Sequence, residues 1–234
     1  MSLQLQQLTI TRRQAQPLFA SLDLVVEPGE IACVMGPSGV GKSTLLDAIG
    51  GHLNGYFGLQ GKVLLNGIDV TNLAPDRRHI GLLLQDPCLF PHMSVADNLA
   101  FALPALNHDR QHKHEHKHEK GFARLREKQR RKNLRREQVA QALDHAGLAG
   151  FEKRAPLSLS GGQQSRVALM RALLAQPKAL LLDEPFAKLD PAMSHDLRQF
   201  VMSQVKQQGI PVILVSHNLE DAQAVNGKVI NLQS

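Results

Sequence analysis

Short, mostly apolar runs recur along this chain at residues 31–35, 80–84, 179–182, 212–215 and 229–232, each closed by a turn-forming or polar residue. Runs of that length without alternation are what strands buried on both faces require, as in a parallel sheet. Helical periodicity follows the first, third and fourth runs, over residues 42–49, 192–207 and 219–224. Strands interleaved with helices predict an α/β domain built on a mainly parallel sheet. The beginning reads differently. Leu3-Gln-Leu-Gln and Leu22-Asp-Leu-Val-Val alternate apolar with polar positions, which predicts an N-terminal antiparallel β subdomain with one face buried. Between residues 87 and 157 no β pattern appears, while 137–149 has helical spacing, so a helical subdomain is expected there, inserted into the sheet domain. The expected division is a core of 1–85 and 159–234 with a helical subdomain at 86–158.

One loop carries recognisable chemistry. Gly36-Pro37-Ser38-Gly39-Val40-Gly41-Lys42-Ser43, followed by Thr44, fits G-x-x-x-x-G-K-[ST] between a predicted strand and a predicted helix. Glycines let the backbone curl so that successive N–H groups face one concavity and hold phosphate oxygens. The helix that starts near Lys42 adds the positive end of its dipole. Lys42 is expected to reach the β- and γ-phosphates of a nucleotide, and the Ser43 hydroxyl to ligate Mg²⁺. A P-loop NTPase is therefore the expected fold.

Two further patterns fit the same chemistry. The run 179–182 ends in Asp183 and Glu184. Asp183 at such a strand end can hold Mg²⁺ opposite Ser43, and Glu184 can deprotonate the water that attacks the γ-phosphate. Leu159-Ser160-Gly161-Gly162-Gln163 opens a helical pattern over 164–175, so its glycines offer N–H groups at a second helix N-terminus. One helix N-terminus serves the phosphates gripped in cis; a second points to a phosphate contact completed in trans.

These residues resemble the ATP-binding cassette family, the nucleotide-binding subunits of ABC transporters. Gly36–Ser43 matches the Walker A motif, 179–183 the Walker B motif, and 159–163 the signature. Gln85, just after the run 80–84, resembles the Q-loop glutamine, residues 187–190 the D-loop, and His217 the switch histidine. Residues 90–98 and 176–186 are similar to stand-alone importer ATPases of the thiamine, sulfate and ferric-iron uptake group.

The resemblance implies ATP as substrate, with Glu184 as base and His217, Gln85 and Lys42 completing the catalytic set. It implies Mg²⁺ held by Ser43, Asp183 and Gln85. It implies an ATP-dependent homodimer, in which Ser160, Gly161, Gly162 and Gln163 of one chain meet the nucleotide on the other. Integral membrane permease subunits are implied as partners, with a solute-binding protein acting indirectly, at the cytoplasmic face of the inner (plasma) membrane. Nucleic acid is not expected. The rival reading is a non-transport ATPase of the same type acting on nucleic acid or ribosomes. Chromosome-acting members need a long coiled coil between the Walker motifs, and no sustained heptads occur here.

Charge changes the picture only locally. Of 27 Lys/Arg and 21 Asp/Glu, residues 107–137 hold 12 and 5, which leaves 15 against 16 elsewhere, close to neutrality. A general nucleic-acid-binding domain would instead spread basic residues over a face. The first half of that insert alternates His112, His114, His116 and His118 with Lys and Glu. It reads either as a solvated low-complexity loop or as imidazoles suited to zinc or nickel. The second half, 124–136, reads as an exposed basic helix, either simply solvated or resting on anionic headgroups.

Composition supplies the remaining bounds. With 234 residues and 43% hydrophobic content the chain suits one large domain. Cys33 and Cys88 are its only cysteines, too few for a disulfide framework, and both are expected to be buried thiols. The first residues show no secretory signal, and no uncharged apolar run reaches the roughly 18 residues of a membrane span. Since 17 residues follow His217, no C-terminal regulatory barrel is expected. Residues 11–17 hold no aromatic to stack on adenine; Arg13, or else Arg12, is the candidate in its place, and a solvated arginine with no adenine contact is the other reading.

Overall fold

The computed structural model describes residues 1–12, 16–104, 120–187, 189–225 and 227–233, the side chains of 120–125 excepted. In chain order the elements begin with β1 (Leu3–Arg12), β2 (Leu22–Val26), β3 (Ile31–Met35) and α1 (Lys42–Gly50). Next come β4 (Phe57–Leu65), β5 (Ile68–Asp69), α2 (Pro75–Arg78), β6 (Ile80–Leu83) and α3 (Val95–Ala102). The chain continues with α4 (Lys120–His145), a 3₁₀ turn at Pro156–Ser158 and α5 (Gly161–Leu174). It ends with β7 (Ala179–Asp183), α6 (Pro191–Gln208), β8 (Val212–Ser216), α7 (Leu219–Ala224) and β9 (Val229–Asn231). These elements group into two compact units, Met1–Cys88 with Pro177–Ser234, and Leu89–Gln176.

In the first unit every predicted apolar run forms a strand of one sheet, ordered β6-β7-β8-β3-β9 and parallel throughout. Its central strands are buried on both faces, as their unbroken apolar sequence requires. Edge strand β9 is half exposed instead. The second sheet, β2-β1-β4-β5, is antiparallel, as the alternation of Leu3-Gln-Leu-Gln predicts. Strand β4 had no sequence signal, because Gly58 and Gly61 interrupt its alternation. Gly61 stands opposite a bulge at Gln7 (φ 47°), where a Cβ would lie 2.3 Å from the Gln7 carbonyl oxygen. Only glycine fits there.

The core of this unit joins the two sheets through α1. Leu45, Leu46 and Ile49 of that helix share one buried cluster with Leu3, Leu5 and Leu24 on one side and Leu181, Ile213 and Val215 on the other. Truncating such a residue to alanine costs about 2–5 kcal/mol. Arg78 fixes the far end of α1: its guanidinium, buried, donates to Ala48 O and Ile49 O at 2.8 Å each, to Leu73 O at 2.9 Å, and to Thr71 O. A cation against the last carbonyls of a helix also suits its dipole.

The second unit is helical, as expected. Its core contains Val95 and Leu99 of α3, Val139 and Leu143 of α4, and Val167, Leu169 and Leu173 of α5. Because α5 presents that apolar face, residues 159–176 group with the helices. The expected boundary at 158/159 therefore differs from the observed one at 176/177. Buried Asn98 ties α3 to its entry loop, accepting from Phe90 N–H at 2.8 Å and donating to Phe90 O and Ser94 O. The described part of α4 is a continuous helix through the basic stretch. Arg126, Lys128, Arg130, Lys132 and Arg136 are exposed on it, while Arg135 donates to Ala100 O at the end of α3.

One expectation is corrected. Cys33 is buried, its thiol pushed up to about 12 chiefly by burial, but Cys88 is exposed. The chain leaves the sheet after Leu83, and Cys88 turns outward at φ 46° with its N–H on Asp86 Oδ1 at 3.0 Å. Among the described residues no helix is long and apolar enough to cross a membrane. The His-rich stretch 108–118, and with it the zinc-or-nickel reading, lies outside the described residues, as does Arg13.

Candidate active site

Parallel strands bring their C-terminal ends to one edge of a sheet, and ligands bind beyond that edge. Here the register pairs Leu83 with Leu182, Asp183 with Val215, and Ser216 with Met35. Glu184, His217 and Gly36, which directly follow these strand ends, and Gln85, two residues past Leu83, therefore leave the same edge of the sheet.

The loop after β3 makes its turn with Gly39 at φ 84° and Gly41 at φ 105°. At position 41 a Cβ would also meet Leu18 Cδ1 at 3.0 Å. Gly41 is the N-cap of α1 and gives it no side-chain cap, which leaves the first-turn N–H groups to another acceptor. Lys42, 6% exposed, turns back into the loop. Its Nζ donates to Gly36 O at 2.8 Å and Pro37 O at 3.1 Å and stands 3.9 Å from Glu184 Oε1. A buried ammonium needs such acceptors. Val40 is buried and Thr44 half-buried, while Pro37, Ser38 and Ser43 are exposed.

Ser43 hydrogen-bonds the Asp183 carboxylate. Burial raises the Asp183 carboxyl above its ordinary value, the Ser43 bond lowers it, and neighbouring Glu184 raises it again, with Lys42 opposing. The carboxylate and hydroxyl together offer hard oxygen donors, and the carboxylate is partly desolvated beside a second acid. That donor set fits a small divalent cation.

Glu184 adopts the left-handed conformation at φ 44° while its N–H stays in the ladder on Val215 O at 3.0 Å. A non-glycine residue held there costs of order 1–3 kcal/mol. The twist turns its carboxylate off the sheet, so that Oε1 lies 3.1 Å from Nδ1 of His217. The His217 ring is 55% exposed on its outer side. Gln85 is exposed past the end of β6, at the edge of the sheet next to β7.

Ser160, Gly161, Gly162 and Gln163 belong to the other unit. Ser160 caps α5: its Oγ accepts from Gln163 N–H at 3.4 Å, and Gln163 Oε1 accepts from Ser160 N–H at 3.0 Å. Ser160 and Gly161 are exposed at that terminus and Gly162 is buried.

Sequence reasoning missed Arg198, Ser216 and Asp221, which form a buried polar chain behind His217. A signal existed: on α6, Arg198 occupies a position in the buried period Ser194, Leu197, Val201, Val205. A charge in such a stripe needs a partner.

The model of one protein family, described as ABC transporter, matches residues 19–187. This chain belongs to the ABC transporter family. An uncharacterized ABC transporter ATP-binding protein of Escherichia coli K12, YnjD, is 44% identical over 207 residues, covering 88% of this chain and 85% of that one. The Fe(3+) ions import ATP-binding protein FbpC of Brucella abortus is 35% identical over 90% of this chain, which spans only 52% of that relative. A dimeric, post-hydrolysis structure of the ATP-binding cassette MJ0796 bound to ADP and Pi aligns with a TM-score of 0.70 at 27% identity, over 99% of this chain and 94% of the other. The cassette is thus an ATP-binding transporter component with a P-loop fold, and the nucleic-acid rival is set aside.

Proposed function

We propose that two copies of this cassette bind two ATP molecules head to tail and hydrolyse them to drive solute import through membrane permease subunits. The observation that carries the reading is the 3.1 Å approach of His217 Nδ1 to Glu184 Oε1 beside Lys42, beyond one sheet edge. A base for water, an imidazole to orient it and a cation for the phosphates then stand on rigid strand ends.

Uncapped α1 and the loop N–H groups take the phosphate oxygens, and Lys42 exchanges its two carbonyl partners for them. Glu184 accepts the proton of the attacking water. His217 holds the γ-phosphate and that water in place. Ser43 and Asp183, with Gln85, would hold Mg²⁺, whose charge offsets the phosphate oxygens when bound. The N-terminus of α5 on the second copy, with Ser160, Gly161, Gly162 and Gln163, completes each pocket. ATP therefore closes the dimer, and hydrolysis lets it open.

Import follows from relatives such as FbpC, whose name gives it as an import ATP-binding protein. On this reading the cassette is peripheral, held at the cytoplasmic face of the membrane by its permease, and a solute-binding protein acts beyond that. Glu184→Gln tests the scheme: ATP affinity should be kept, turnover should fall by about 10²–10⁴-fold, and dimer should accumulate with ATP in size-exclusion chromatography. An active, monomeric Glu184→Gln variant would overturn it.

A further inference from the structure

Behind His217 lies a buried polar chain that the hydrolytic scheme above does not use. Arg198 of α6 is 6% exposed and Asp221 of α7 is 3% exposed. The guanidinium donates Nε–H and Nη2–H to Asp221 Oδ1 at 3.0 and 2.7 Å. The other carboxylate oxygen, Oδ2, accepts from Ser216 Oγ at 2.5 Å. Ser216 Oγ in turn accepts the N–H of Asn218 at 3.0 Å. The hydroxyl thus bridges the residue before His217 and the residue after it, and the ion pair anchors that hydroxyl.

The same α6 grips the other catalytic loop. Arg198 lies 5.5 Å from the centre of the Phe186 ring, and Ser194 Oγ donates to Phe186 O at 3.1 Å. Phe186 stands two residues after Glu184. One helix therefore holds the carboxylate's loop and the imidazole's loop. Burying an ion pair contributes little net stability compared with apolar side chains of like size. Its value here lies in position: displacing a catalytic group by about 1 Å can cost on the order of 10²-fold in rate.

We infer that Ser216 and Asp221, braced by Arg198, are positioning residues that hold His217 at its 3.1 Å contact with Glu184. The inference rests on the proposed hydrolytic role of His217. With Nδ1–H directed at Glu184, Nε2 is left to face the phosphate, and the bridged backbone on both sides of the ring keeps that orientation.

The test is a double-mutant cycle on the purified full-length chain, read as steady-state ATPase activity, binding of a fluorescent ATP analogue, and thermal unfolding. Ser216→Ala should lower kcat about 5–20-fold with nucleotide affinity within about 2-fold of the parent. In a His217→Ala background, Ser216→Ala should change kcat by less than 2-fold, because nothing remains to position. The imidazole ¹⁵N signals missing from His217→Ala identify those of His217, and they should shift in Ser216→Ala.

Full multiplicative loss in the His217→Ala background would overturn the inference and assign Ser216 to general core stability; so would wild-type kcat in Ser216→Ala. If Ser216→Ala fails to fold, Asp221→Asn is carried through the same cycle with the same two criteria. Undiminished turnover in His217→Ala alone would overturn the hydrolytic assignment itself, and the positioning role with it.

Discussion

Two helices of this cassette begin with glycine-rich sequence and treat their N-termini in opposite ways. Helix α1 starts at Gly41, which supplies no side-chain cap, and its first lysine is buried against loop carbonyls. Helix α5 starts at Ser160 and closes a capping box with Gln163. Both carry about half a positive charge at that end. The first takes no cap from its own sequence; the second satisfies one of its N–H groups, that of Gln163, from its own sequence. A binding loop made of the chain's own glycines therefore stays incomplete, whereas a helix end that on the proposed scheme meets a second copy must be stable before it does.

That contrast is sharpest at Lys42. The ammonium has two carbonyl acceptors and Glu184 at 3.9 Å, and phosphate oxygens would replace them as charge-assisted partners worth about 1.5–3 kcal/mol each. Lys42→Ala is expected to weaken ATP binding by about 100-fold in calorimetry, with the α5 cap untouched. Affinity equal to that of the parent would mean that the uncapped terminus of α1 does not await phosphate.

Ser160 breaks the comparison from the other side. Its Oγ–N distance of 3.4 Å is long for a cap bond. Ser160→Ala should cost about 1 kcal/mol or less in thermal stability. Its larger effect should be loss of the ATP-dependent dimer seen in the Glu184→Gln background by size-exclusion chromatography. A dimer that persists, with only the small stability loss, would reduce Ser160 to a cap.

How far the sequence displays this arrangement depends on what each residue contacts. The strands 31–35, 179–183 and 212–216 are legible because both faces are buried and no polar residue interrupts them. Strand β4 is hidden by Gly58 and Gly61, which serve a bulge on its neighbour and carry no alternation. The phosphate loop is legible because its chemistry is local in sequence. The Glu184–His217 contact is not: it spans 33 residues and depends on the φ of 44° at Glu184 and on the register of β7 with β8. Arg198 and Asp221 are further hidden, since a charged residue in a helix reads as solvated until its neighbours are known. Helix α5 follows the signature motif in sequence yet groups with α3 and α4, because an apolar face is claimed by whatever packs on it.

Asp183 gives the smallest effect and the finest division between the two termini, because its cost exists only where α1 awaits a ligand. Burial and Glu184 raise its carboxyl above the ordinary 3.8, so the native state binds this proton more tightly than the unfolded chain does. Where native protein holds more protons than unfolded, stability falls as pH rises. The penalty is therefore absent below the unfolded value, grows through the raised native value, and is complete at neutral pH. Asp183→Asn, which keeps an oxygen for Ser43 but never ionises, should raise the unfolding temperature at pH 7.5 in the absence of nucleotide. That advantage should shrink as the pH is lowered towards the ordinary carboxylate value, and thermal scans from pH 7.5 downward measure it directly. A gap that widens towards acid would show the carboxylate to be stabilising in the free cassette. The α1 terminus would then be as self-sufficient as α5, and the contrast between the two helix ends would be lost.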